Sequence, residues 1–187
     1  MSLATGLTAD EFLARDDWPP RSQLIAGEVI VNQPALPHQL VVGKLYARLL
    51  AWTEGAPGRG LVSLPIDVRV GPADVYGPDV WWVREERRPG PEATGLDGLP
   101  DIVAEVRSPS TWRYDIGRKL ARYESAGVPE VWLVDGVARS VLVYRRTSPD
   151  QPQFDEASEI EAEHGHVLTS PLLPAFSLPL ADLFDLA

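Results

Sequence analysis

The sequence predicts an α/β domain built on a mixed β-sheet flanked by helices, with additional β-hairpins. Three observations carry this. Strand-like runs at 102–107 and 130–135 are joined by a helical stretch, the mark of a parallel pair with a helical crossover. Turn signals at Ala26-Gly27 and Asp135-Gly136 separate paired apolar runs, which reads as two hairpins. The 187 residues are enough for one domain with a sizeable core, spanning 1–187, with the acidic segment 150–187 part of it or packed on it.

The elements follow in order. Thr8-Ala-Asp-Glu11 is a capping box, with Leu7 and Phe12 placed as a hydrophobic staple, so a short helix should run to about Arg15. Gln23-Leu-Ile and Glu28-Val-Ile-Val31 form the first hairpin. Leu36, Leu40, Leu45, Leu49 and Trp52 recur at near-helical spacing and predict a helix over 36–53, stopped by Gly55 to Gly60. Ile66, Val68 and Val70 alternate with Asp67 and Arg69, the sign of a half-buried strand. The run 79–83 is short and apolar, and its adjacent Trp81 and Trp82 must face opposite sides, which predicts that one is exposed or at a subunit contact. Residues 84–100 form a long charged loop, a length usually tied to function.

Ser108-Pro-Ser-Thr111 is a turn and helix cap. Ile116, Leu120 and Tyr123 then share a helix face, and the helix ends at Ala126 with Gly127 suited to the left-handed position that follows. Val131–Val134 and Ser140–Tyr144 form the second hairpin. Two weaker strands are expected near 152–160 and 166–170, and a short amphipathic segment at 180–184.

Composition excludes several classes. With no cysteine there are no disulfides and no thiolate zinc sites, which fits a reducing compartment. No signal peptide is visible and no apolar run approaches the ~18 residues of a membrane span, so a cytoplasmic protein is expected. The net charge of −10 argues against nucleic acid at first. Its distribution softens that: residues 150–187 hold eight acids and no Lys or Arg, while eight of the 17 basic residues fall in 84–122. Seven acids share that stretch, so a solvated surface fits it as well.

Asp79 and Glu105 are the residues most out of place. Each sits at the edge of or inside a short apolar strand, where a carboxylate is costly unless paired or bound to a cation. Glu105 and Arg107 point to the same side of their strand, so together they can address one phosphate. Hard oxygen ligands suit Mg²⁺ or Mn²⁺, which would polarise a phosphodiester for hydrolysis. Arg107 stays charged and can only stabilise negative charge. Lys119, one turn after Asp115, is better suited to a titratable role, although the two also fit an i,i+4 surface ion pair. His38 fits either an accessory site residue or an ordinary first-turn residue. His164 and His166 read as surface positions rather than metal ligands.

The strings Pro100-Asp-Ile-Val-Ala-Glu-Val-Arg-Ser-Pro-Ser-Thr111, Asp115-Ile-Gly-Arg-Lys119 and Tyr123-Glu-Ser-Ala-Gly-Val-Pro-Glu-Val-Trp-Leu-Val-Asp135 closely resemble the Uma-two family of bacterial restriction-endonuclease proteins. The resemblance extends to Leu7–Phe12, Leu24–Val29, His38 and Gly77-Pro-Asp-Val80, and so covers most of 7–145. It implies the PD-(D/E)XK nuclease superfamily, with a restriction-endonuclease-like fold. It places the two acidic motif residues at Asp79 and Glu105; in the metal-dependent nuclease reading the Val106 carbonyl is a candidate further ligand. It also moves the superfamily's lysine role to Lys119, with Asp115 orienting it. DNA as substrate and a homodimer are implied as well. One departure stands out: the family usually has glutamate where Gln23 stands and aspartate where Ala26 stands. An amide oxygen can ligate Mg²⁺ but adds no charge. Glu28, on the same hairpin face as Gln23 if the turn has two residues, is the candidate to compensate. The loss leaves open a weakened or inactive nuclease-fold binding protein, or a nuclease acting on RNA or branched DNA.

Overall fold

The computed structural model describes residues 4–93, 95–96, 98–108 and 112–186. Helix α1 (Ala9–Leu13) opens on the complete Thr8/Glu11 capping box. Strands β1 (Ser22–Ile25) and β2 (Glu28–Val31) pair across a two-residue turn, with Gln23 opposite Ile30 and Ile25 opposite Glu28. Ala26 and Gly27 both take positive φ (51° and 76°), the conformation that such tight hairpins demand. Helix α2 (Leu36–Glu54) follows, then β3 (Leu61–Ser63), β4 (Val68–Gly71), β5 (Asp74–Tyr76) and β6 (Val80–Val83).

Strand β7 (Ile102–Val106) leads into one helical run made of α3 (Trp112–Tyr114), a π-helical turn (Asp115–Lys119) and α4 (Leu120–Ala126). Gly127 ends the run at φ 94°. Strands β8 (Glu130–Asp135), β9 (Ser140–Arg145) and β10 (Glu156–Glu161) follow. The chain then forms the small hairpin of β11 (Val167–Leu168) and β12 (Leu178–Pro179), and closes with α5 (Leu180–Phe184).

The central sheet is mixed, ordered β10-β9-β8-β7-β6-β3. Its β7–β8 pair is parallel and its other neighbours are antiparallel. That single parallel pair is the one bridged by the helical run, as a crossover requires. A second sheet, β2-β1-β5-β4, packs with α4 on one face of the central sheet, where Ile25, Ile30, Val68 and Tyr76 meet Val103, Tyr123 and Leu133. Helix α2 and the C-terminal segment cover the opposite face, with Leu45, Leu49, Leu168 and Leu183 around Trp132. The acidic segment therefore contributes to the core. Two of its exposed carboxylates, Glu156 and Glu159, lie on the edge strand β10, where charge disfavours pairing with another strand.

Covering both faces corrects two expectations. Trp81 and Trp82 do face opposite sides, but both are buried, and their indole N–H groups donate to the Leu64 and Arg59 carbonyls. Ile116 does not share the buried face with Tyr123; the π turn leaves it exposed and turns Asp115 and Lys119 inward instead. The expected cap at Ser108–Thr111 falls largely outside the described residues. Strands β3 and β5, three residues each, carry too little pattern to be seen in sequence.

Candidate active site

Register explains why two distant carboxylates meet. Val80 on β6 lies opposite Ala104 on β7. Carried back one residue, the ladder sets Asp79 against Glu105, a directly opposed pair whose side chains share a face. The Val106 amide donates to Asp79 Oδ2 at 2.8 Å, fixing the carboxylate at the start of β6. In a strand, the N–H and C=O of one residue point to the same side, so the Val106 carbonyl faces the same region. Its ladder partner there is Pro78, which has no N–H to offer.

The π turn supplies the rest. Asp115, Lys119 and Tyr123 all point inward at four-residue spacing. Lys119 Nζ lies 2.5 Å from Glu105 Oε1 and 3.1 Å from Asp115 Oδ1, and the Tyr123 hydroxyl donates to Glu105 Oε1 at 2.6 Å. Glu105, Lys119 and Asp115 are each no more than 2% exposed. A π turn inserted in an α-helix is a device often found at functional sites. Here it replaces the surface ion pair that spacing alone allows with a buried one.

Burial pushes the Glu105 carboxyl up to about 8, with the Lys119 charge opposing and Asp115 and Asp79 adding to the rise. Burial also disfavours the Lys119 ammonium, but Asp115 and Glu105 outweigh it and hold the amine protonated above its usual range. Lys119 is thereby suited to orienting and stabilising charge rather than to taking a proton.

His38, in the first turn of α2, places Nε2 3.2 Å from Asp79 Oδ2. Because that oxygen already accepts the Val106 amide, the hydrogen-bond network assigns the proton to Nε2 and leaves Nδ1 a bare acceptor. Nδ1 is buried with no hydrogen-bond partner, as is Gln23 Oε1. Gln23, His38 and Asp79 line one cavity of about 580 Å³, walled by Phe12, Trp18, Leu64, Pro65 and Ile66.

Two predicted residues stand apart. Arg107 pairs with Asp135 at 2.6 Å rather than facing Glu105. Glu28 is half-exposed, lies 4.0 Å from Arg118, and does not line the cavity. His164 and His166 are exposed. With Glu161 and Glu163, His164 forms the one group of three His or acidic side chains close enough to share an ion among the described residues, and it lies on the β10 edge. Tyr123 was read in sequence only as an apolar position; its signal was the four-residue spacing Asp115–Lys119–Tyr123.

The donor set fits a hard divalent cation. Asp79, Glu105 and Asp115 offer three buried carboxyl groups against one ammonium, so a cation would balance the excess of negative charge that they carry when ionised. Asp79, Glu105 and the Val106 carbonyl are the groups that would hold it.

The fold is thus a mixed-sheet α/β domain with a buried carboxylate pair and a lysine gathered on its central strands. The chain matches the family model Uma2, described as "Putative restriction endonuclease", over residues 9–181, and it belongs to that family. It is similar in fold to a crystal structure from Anabaena variabilis described as a "putative nuclease belonging to DUF820", with a TM-score of 0.82 and 22% identity over 97% of this chain and 99% of that one. None of the curated proteins compared matches the chain.

Proposed function

We propose that the protein is a PD-(D/E)XK-type endonuclease that hydrolyses DNA phosphodiester bonds with Mg²⁺ or Mn²⁺. The observation that carries this is the opposed pair Asp79 and Glu105, buried beside Lys119 in a chain of the Uma2 family. A divalent ion bound there would polarise the phosphoryl group and make hydroxide available near neutral pH. Asp79 and Glu105 hold their side of the site through the Val106 amide and the Tyr123 hydroxyl. Lys119, kept as an ammonium and oriented by Asp115, faces the developing negative charge. Arg107 reaches a phosphate only by leaving Asp135, which makes it an auxiliary charge. We take residues 1–187 as one nuclease-like domain acting in the cytoplasm as a homodimer.

The test is a nicking assay on supercoiled DNA with purified protein and either metal. Cleavage that disappears in Asp79→Ala and Glu105→Ala is expected; cleavage surviving in both variants refutes the assignment. A second reading, a nuclease fold kept for binding, is favoured by Gln23 in place of the family's usual acid and by the way Lys119 and Tyr123 close over Glu105. Absence of Mn²⁺ binding at millimolar metal by calorimetry would favour it. Parallel assays on RNA and branched DNA decide the substrate.

A further inference from the structure

We propose that the cavity beside Asp79 is a pocket for one unstacked nucleobase, so that the nucleic acid is bound as a single strand or with a nucleotide turned out of the duplex. This rests on the nuclease reading for the nature of the ligand, since Asp79 would lie at the scissile phosphate. The cavity itself supplies the rest. Its volume of about 580 Å³ holds a nucleotide but not a duplex, and its lining joins polar side chains to apolar walls that include Phe12 and Trp18, stacked at 5.6 Å. Its polar lining is specific. Gln23 Oε1 and His38 Nδ1 are two buried acceptors without donors, each on a residue 6% exposed.

Buried acceptors of this kind call for a ligand that donates hydrogen bonds. A base with an exocyclic amino group, such as cytosine or adenine, supplies one beside flat apolar faces that pack on the walls. Thymine has one ring N–H as its only donor and can satisfy just one of the two acceptors, whereas an amino group offers two hydrogens. Arg15, which lies over Trp18 at 3.9 Å and pairs with Asp17 at 2.8 Å, lines the cavity with Arg21, and Asp16, Asp67 and Asp79 line it as well, so the base and not the phosphate is the group the pocket selects. The chain's net charge of −10 makes extended duplex contact unfavourable, which a local pocket does not require.

The experiment is fluorescence anisotropy with labelled oligonucleotides and the full chain in EDTA, so that no cleavage occurs. Short oligo-dC is expected to bind about tenfold more tightly than oligo-dT or a fully paired hairpin of equal length. Gln23→Leu should level dC and dT. Leu64→Trp fills the cavity from a residue 41% exposed, where folding is little at risk, and should weaken oligo-dC about tenfold. Equal affinity for dC, dT and hairpin, or full affinity in Leu64→Trp, means a solvent-filled cavity only and overturns the proposal. Because no metal is present, selective binding by a protein that fails to nick DNA would sink the nuclease reading alone. Nicking by a protein that shows no selectivity would sink the pocket alone.

Discussion

Glu105 sits where four groups converge, and its protonation links stability to metal binding. Its carboxyl titrates at about 8 in the fold against 4.5 for a free side chain, so the folded state binds the extra proton between those values. The stability this proton contributes is fully present below 4.5 and is lost as pH rises through 8. The metal-free protein should therefore show a falling urea midpoint across that window, and Glu105→Gln should flatten the slope. Mg²⁺ affinity should run the other way, rising with pH as the cation displaces the proton; calorimetry in buffers of different ionisation enthalpy would detect that release. Lys119→Met leaves the buried Asp115 carboxylate without its cation and should cost about 3–5 kcal/mol, read by denaturant unfolding at neutral pH. At this scale the sequence was partly legible. Asp79 and Glu105 stand out as charges in apolar strands, and Lys119 gained its place only through family resemblance. Tyr123 was missed because an aromatic on a helix face reads as core, and only the fold shows its hydroxyl on Glu105.

The elements place these groups through register and one irregular turn. Strands β6 and β7 set Asp79 against Glu105, and the π turn rotates Asp115 and Lys119 beneath them. Hairpins, the parallel pair and the long helix α2 follow from turn residues and periodicity, and so were readable. The π turn was not, because regular spacing favoured Ile116 for the inner face and nothing local marks the extra residue. Strand β3, too short to carry a pattern, depends for its position on a close approach. At Gly60, with φ 76°, an added Cβ would meet the Val83 carbonyl at 2.0 Å. Gly60→Ala should therefore displace β3 from β6 and lower stability by more than about 2 kcal/mol, combining left-handed strain with the clash. A melting curve close to that of the parent would show that this approach is not required.

For the whole molecule, both faces of the central sheet are covered, and the acidic C-terminal segment closes one of them with Leu173, Leu178, Leu180 and Leu183. No helix among the described residues is long and apolar enough to cross a membrane. Burial of both Trp81 and Trp82 removes the exposed tryptophan from the argument for a subunit contact, so the proposed homodimer rests on the proposed cutting of both DNA strands. Sedimentation velocity should show a dimer at micromolar protein, and a monomer alone would count against it. The central claim is that Asp79 and Glu105 hold a divalent ion, and a crystal soaked in Mn²⁺ tests it most directly. The account predicts an anomalous peak in coordination distance of both carboxylates and of the Val106 carbonyl. A peak only at Glu161, Glu163 and His164, or none at all, would contradict it.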